Sequence, residues 1–269
     1  MNMNTKNSSM EKIMVRDNLY QYFFPEDKTL SINSIFACIN RSESPPKALL
    51  IDTAFPDLAQ MVKKDLQENG IQPEIVVLSH YHPDHSSGCT VFPGCPIYAS
   101  EFYKDNLENC KRWEPTLTFL RPTHLIKDGD TLSFGTFHIR FIHAPGHSYC
   151  SLMLIINDDV LHAGDLLMFE AGNKIALPYI SMGGSFKQHI ASLERIKTLD
   201  YNIMLIPHGH FLTDKEKIIE EIDDRIYYLK RVLNSKGTLP VAACLKKDIS
   251  YYSHTDYHET NLIHLMIED

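Results

Sequence analysis

The 269-residue sequence predicts an α/β protein in which two β-sheets pack face to face and helices cover their outer surfaces. Three observations lead there. Strand-like and amphipathic helix-like runs alternate through two successive halves of the chain. Several strands are short continuous apolar runs, as in sheets buried on both faces. Polar, ligand-type residues stand directly after strands in both halves. Length is about twice the ~150-residue domain prior, and α/β domains of this size often fold as one unit. A chain this long buries a full core without disulfides or a structural metal.

Residues 1–12 read as a flexible tail. Residues 31–39 and 48–52 read as strands joined by a turn containing Pro45-Pro46. Leu58, Met61, Val62 and Leu66 recur at helical spacing over 56–69, and Gly70 closes that helix. Ile75-Val-Val-Leu-Ser79 is a buried-type strand, followed by a short strand at 96–99 and a helix at 101–111. In the second half, 131–144 alternates around Gly135 as a hairpin, and 151–156 pairs with 160–163 around Asn157-Asp158-Asp159. An amphipathic helix covers 186–199 and a short strand 202–206. Thr213 is the expected cap of a long helix reaching Leu233, with Asp214 and Glu216 in its first turn. A small helical tail ends the chain. The organisation expected is a tail (1–12), a catalytic domain (13–213) and a C-terminal helical extension (214–269) packed on it.

Composition narrows the function classes. Hydrophobic residues at 43% and charged residues at 22% exclude a disordered or fibrous chain. A net charge of -8 argues against nucleic-acid binding. No segment approaches the ~18 continuous apolar residues of a membrane span, and the polar N-terminus has no signal-peptide core. Six cysteines form no CxxC pair, so reduced thiols and a cytoplasmic location are expected. The outlier is histidine, at 14 residues.

Their placement is informative. His80-x-His82-x-Asp84-His85 comes straight after the 75–79 strand. Histidines two apart on extended chain point the same way and can share one ion. Asp84 and His85 follow once Pro83 has turned the chain and can reach a second ion. Four such side chains would be costly to bury unpaired, by several kcal/mol, and a metal pair removes that penalty. Further ligand types close other strands at Pro145-Gly-His147, His162-Ala-Gly-Asp165 and Pro207-His208-Gly209.

With Ser79-His-Tyr-His-Pro-Asp-His-Ser-Ser-Gly88, Pro145-Gly-His-Ser148, Ala163-Gly-Asp165, Pro207-His-Gly209 and the acidic strand end Leu50-Ile-Asp52, the sequence resembles the metallo-β-lactamase superfamily over roughly residues 15–215. The resemblance implies an αββα four-layer sandwich with a small C-terminal helical appendage and a binuclear site at the sheet edge. It places His80, His82 and His147 on one metal and Asp84, His85 and His208 on the other, with Asp165 bridging. His208 is preferred to His210 because His208-Gly-x-x-Leu-Thr213 matches the family's closing motif. Asp52 is expected to orient a ligand rather than to bind metal.

The activity implied is a metal-dependent hydrolase acting on an ester, thioester, lactone or related bond of a small molecule. The cofactors are two divalent ions, zinc first, with iron or manganese as alternatives. A metal-bridging hydroxide would be the nucleophile, and Asp84 would hold it and pass a proton to the leaving group. Two other readings stay open: an iron-dependent oxygen-chemistry enzyme resembling persulfide dioxygenases, and a non-catalytic metal-binding signalling protein. Met168 stands where acyl-homoserine-lactone lactonases carry Tyr, which weakens the lactone reading. Residues 169–185 are read either as a lid or as a crossover loop. Trp113 is expected on a packed peripheral helix rather than in the pocket wall. Residues 214–269 would shape the pocket or a homodimer contact. His124, His138, His189 and His254 are read as structural or surface residues.

Overall fold

In the computed structural model, which describes residues 9–25, 32–170, 174–181 and 183–268, the first half of the chain builds a seven-stranded sheet. Strands β1 (Glu11–Arg16), β2 (Leu19–Phe24), β3 (Asn33–Asn40), β4 (Lys47–Ile51), β5 (Gln72–Val77), β6 (Ile97–Ser100) and β7 (His124–Ile126) lie side by side in that order. The sheet is antiparallel up to β4 and parallel from β4 to β7. Parallel neighbours need crossovers, and α1 (Pro56–Glu68), the single turn α2 (Pro83–Ser86) and α3 (Tyr103–Trp113) supply them.

The second half begins with β8 (Thr131–Phe134), β9 (Phe137–His143), β10 (Leu152–Ile156) and β11 (Val160–His162). Then come β12 (Phe169–Glu170), β13 (Lys174–Ala176), α4 (Phe186–Thr198), β14 (Ile203–Leu205) and α5 (Lys215–Asn234). The chain closes with α6 (Val241–Cys244), β15 (Tyr252–Ser253) and α7 (Tyr257–Glu268). The order β14-β11-β10-β9-β8 forms a five-stranded sheet, and β12-β13-β15 a small third one.

Period-two alternation sorts the side chains into layers. Leu152, Leu154 and Ile156 of β10 enter the core between the sheets, where they meet Phe36, Leu49 and Ile51. Met153 and Ile155 point the other way, to Leu193 of α4 and Ile222 of α5. On the far side of the first sheet, Ala37, Leu50 and Val76 pack under Leu58, Val62 and Leu66 of α1 and Leu107 of α3. The result is the expected αββα sandwich. Each such Leu, Ile or Val contributes about 1.5–3 kcal/mol by leaving water.

Several expectations need correction. The stretch read as a tail through residue 12 already belongs to β1, where Glu11 pairs with Phe23 and Lys12 with Tyr22; residues 1–8 lie outside the described residues. The α5 cap is Asp214 rather than Thr213: its backbone is extended and its carboxylate accepts the Lys217 N–H at 3.1 Å. Of the segment 169–185, read as a lid or a crossover loop, residues 169–170, 174–181 and 183–185 are described. They contain β12 and β13, and β13 pairs in parallel with β15 from the end of the chain; Met182 lies outside the described residues.

Residues from α5 onward are fastened to this segment and to Met168 before it by buried polar contacts. Arg225 of α5 is 1% exposed and donates to Glu221 at 3.0 Å and to the Met168 carbonyl at 2.6 Å. Asn261 of α7 accepts the Ile180 N–H at 2.8 Å and donates to the Pro178 carbonyl at 2.7 Å and to Tyr228 Oη at 3.1 Å. Removing one partner leaves buried groups unsatisfied. Asn261→Ala is therefore expected to destabilise the protein by about 2–4 kcal/mol, read as a lower urea midpoint at unchanged m-value; an unchanged midpoint would show that α7 is not docked this way.

Candidate metal centre

Every sequence-predicted site residue sits just past the C-terminal end of a strand. Asp52 follows β4, His80 to His85 follow β5, His147 follows β9, Asp165 follows β11 and His208 follows β14. Because β4 and β5 are parallel, as are β11 and β14, these ends open on one edge of the sandwich. Carboxyl ends of parallel strands are where such folds bind ligands. The two sheets are tied there by the Leu152 N–H to the Ser79 carbonyl at 2.8 Å.

Backbone contacts hold each loop. Thr53 donates both its N–H and its hydroxyl to the His85 carbonyl at 2.9 Å. Ser181 does the same to the His147 carbonyl, at 2.9 and 2.8 Å. Gln21 reaches the Gly209 carbonyl at 2.7 Å. Gly146 has φ +143°, and a Cβ there would stand 2.2 Å from the His189 Cα, so only glycine lets the chain turn into His147.

The side chains converge in two groups. One atom each from His80, His82, His147 and Asp165 form the first, and Asp84, His85 and His208 the second; within each group these atoms lie within 4.8 Å of one another. Asp165 Oδ2 stands between them. It is 3.6 Å from His80 Nε2 and 3.5 Å from His147 Nε2 on one side, and 3.3 Å from both His85 Nε2 and His208 Nε2 on the other.

Hydrogen-bond bookkeeping decides what this cluster wants. The Nδ1 of His147 donates to the Tyr179 carbonyl at 2.8 Å and that of His208 to the Ile32 carbonyl at 2.6 Å. The Nδ1 of His85 donates to Asp52 Oδ2 at 2.9 Å. Ser79 gives its hydroxyl proton to Asp52 Oδ2, so it accepts from His80 Nδ1 at 3.1 Å. Four rings are thus held with Nδ1–H outward, and neutral rings so held aim an Nε2 lone pair inward. Inside, His85 Nε2 and His208 Nε2 face each other at 3.2 Å. His80 Nε2 and His147 Nε2 both face His82 Nδ1 at 3.0 Å. One hydrogen on His82 Nδ1 satisfies only one of those neighbours. The buried His82 Nε2 and Asp165 Oδ1 have no hydrogen-bond partner. Converging lone pairs beside a buried carboxylate fit a cation, and four donors of nitrogen and oxygen suit a divalent ion.

Protons are the competing occupants. Burial pushes His80, His82 and His147 down, leaving them neutral. Burial also opposes charge on His85 and His208, but Asp165 beside them outweighs it. His85 is held well above the usual imidazole range and His208 is pushed up to about 9. Below that value the metal-free His208 carries a proton that an entering cation must displace. Metal uptake is expected to release protons at pH 7, and the release from His208 fades as pH rises through about 9. Titration calorimetry in buffers of different ionisation enthalpy measures it; no release at pH 7 would contradict the arrangement.

Seven predicted ligand positions are brought together, and His210 is not among them. It is exposed and stacks on Phe23 with ring centroids 3.9 Å apart. Asp52, fully buried, binds His85 as expected. Two other expectations are corrected. Trp113 lines the cavity beside the cluster, its ring 5.5 Å from that of His82. His254 lines it too, paired with Glu170. The same cavity of about 200 Å³ is lined by Tyr179 and Tyr257. Sequence reasoning weighed Trp113 and the segment holding Tyr179, but missed His254 and Tyr257 as wall residues because α3, β12 and the end of the chain meet only in the tertiary fold.

The chain is similar to several known proteins. Over 231 residues the chain is 26% identical to hydroxyacylglutathione hydrolase 1 of Vibrio vulnificus, covering 83% of each protein. It is 27% identical to a probable metallo-hydrolase of Methanocaldococcus jannaschii, over 64% of this chain and 75% of the relative. Among solved structures, a metallo-β-lactamase family protein of Thermus thermophilus superposes with TM-score 0.67 at 18% identity, covering 93% of this chain and 95% of that one. A metallo-β-lactamase of Pontibacter korlensis gives TM-score 0.63 at 13% identity, over 80% of this chain and 100% of the other. The family model of the metallo-beta-lactamase superfamily matches residues 43–210, and the chain belongs to that superfamily.

Proposed function

We propose that the protein is a binuclear metallohydrolase that cleaves an ester or thioester of a small molecule, with His80, His82 and His147 on one ion, Asp84, His85 and His208 on the other, and Asp165 between them. The observation that carries this reading is the position of Asp165 Oδ2, 3.3 to 3.6 Å from inward nitrogens of both groups. Relatives named as hydroxyacylglutathione hydrolases support thioester chemistry. Zinc is the ion we assign, since imidazole and carboxylate donors in fours are its usual set.

Bound divalent ions would lower the pKa of a water to about 7 and polarise the scissile carbonyl. The chain's own groups do the rest. Asp165 and the outward Nδ1–H bonds hold the donor set without rearrangement, which is what preorganisation requires. The Asp84 side chain is 24% exposed and lies 3.4 Å from His208 Nε2, so it reaches solvent at the cavity mouth. This position supports a role for Asp84 in taking a proton from the nucleophile and returning one to the leaving group.

Asp165→Ala is expected to lose at least one of two metal equivalents, measured by elemental analysis after dialysis; retention of both would show that Asp165 does not bridge. His208→Ala should lower occupancy of the second ion while His210→Ala leaves it full. Asp84→Asn should hold the second ion more weakly and, once reloaded to two equivalents with excess metal, should still lose turnover of model thioesters by about 10²–10⁴-fold. Bound iron with oxygen uptake and no hydrolysis would overturn the hydrolase reading.

A further inference from the structure

The cavity wall beside the metal cluster is built from rings that follow one another around the opening, two of them the rings of His82 and His147 themselves. Trp113 lies 5.5 Å from His82, and the His82 ring 4.7 Å from that of His147. Tyr179 continues the arc 5.8 Å from His147, and Tyr257 stands 4.8 Å from Tyr179. His254 then stacks on Tyr257, at 4.6 Å and nearly parallel at 6°. Trp113, Tyr179 and Tyr257 come from three separate elements, yet all line the same cavity. Trp113 keeps 39% of its surface exposed. An aromatic arc left open on a concave face favours a flat partner.

The arc ends on a charge. Glu170, with its side chain 11% exposed, lines the cavity and pairs with His254 Nε2. His254 holds a left-handed backbone, φ +51°, which is uncommon for a residue with a side chain and marks a position the surroundings enforce. His254 meets only Oε1 of Glu170, so the second carboxylate oxygen keeps its acceptor capacity beside the aromatic faces, which favours a cation over an anion. An acylglutathione, whose leaving group carries two carboxylates, is a poor match for this wall.

We infer that this arc is the specificity site of the enzyme, and that it selects esters or thioesters bearing a flat aromatic group that is neutral or positively charged rather than anionic. The inference rests on the hydrolase reading above and names the substrate class for the same centre. The bond change is ordinary hydrolysis: the acyl carbon exchanges its C–S bond for a C–O bond to water oxygen, and the thiol leaves with a water proton. Glu170, Trp113 and Tyr257 bind and orient; none takes part in that exchange.

The test uses the full, metal-loaded chain with thioacetates of 4-substituted benzyl thiols, in which a methylene insulates the reacting bond from the substituent. The substituents are trimethylammonium, methyl and carboxylate, with S-ethyl thioacetate and an acylglutathione as references. Expected values of kcat/KM fall in the order ammonium, methyl, carboxylate, with about tenfold or more between first and last. Glu170→Gln should shrink that gap to about twofold, and Tyr257→Leu should reduce the benzyl-over-ethyl ratio through KM, both with two metals retained. Turnover without a ring preference, or with the carboxylate or acylglutathione preferred, overturns the inference and leaves the hydrolase reading intact. Failure of the loaded protein to hydrolyse any of these thioesters overturns both.

Discussion

The structure turns on one constraint: four buried imidazoles have their Nδ1–H groups committed outward, and their Nε2 atoms converge with His82 Nδ1 around Asp165. Buried polar atoms ordinarily find partners, and these instead face one another. Asp165, held well below the usual carboxylate range by His85, His208 and His80 against the opposing effect of burial, stays ionised. One cation in each group satisfies the atoms that converge there; protons satisfy only some. The fit of the site to a cation is thus set by hydrogen bonds made on its outer side.

Those outer bonds explain the surrounding architecture. Asp52 serves His85, and through Ser79 it also fixes His80. The Tyr179 carbonyl that orients His147 belongs to a segment held by Asn261 of α7 and by β15. Arg225 of α5 grips the Met168 carbonyl three residues after Asp165. The C-terminal part of the chain therefore does two things. It braces the ligand loops, and it brings Tyr257 and His254 to the cavity wall. A change far along the sequence can reach the metal cluster through these contacts.

Much of this was legible beforehand, for local reasons. His80-x-His82-x-Asp84-His85 after an apolar run places four ligand-type side chains within six residues, and alternation gives His80 and His82 a common direction. The inner layers followed from period-two patterns such as Phe137, Ile139 and Phe141. What escaped was non-local. β1 begins inside a polar stretch, and its pairing with β2 is what makes it a strand. β12, β13 and β15 are two or three residues long and exist only because they meet. Motif spacing favoured His208, but the stacking of His210 on Phe23 gives the physical reason. His254 carries no motif; its position depends on a turn near the end of the chain closing over Glu170. Asp214 displaced Thr213 as a cap by one residue, a distinction of backbone angle rather than composition.

The most direct measurement is anomalous diffraction from crystals grown with zinc. Two peaks are predicted, one about 2.0–2.2 Å from nitrogens of His80, His82 and His147 and one at similar range from His85, His208 and Asp84, with Asp165 reaching both. No peak among these side chains, or a single peak with His85 and His208 still facing each other across an empty gap, would contradict the account.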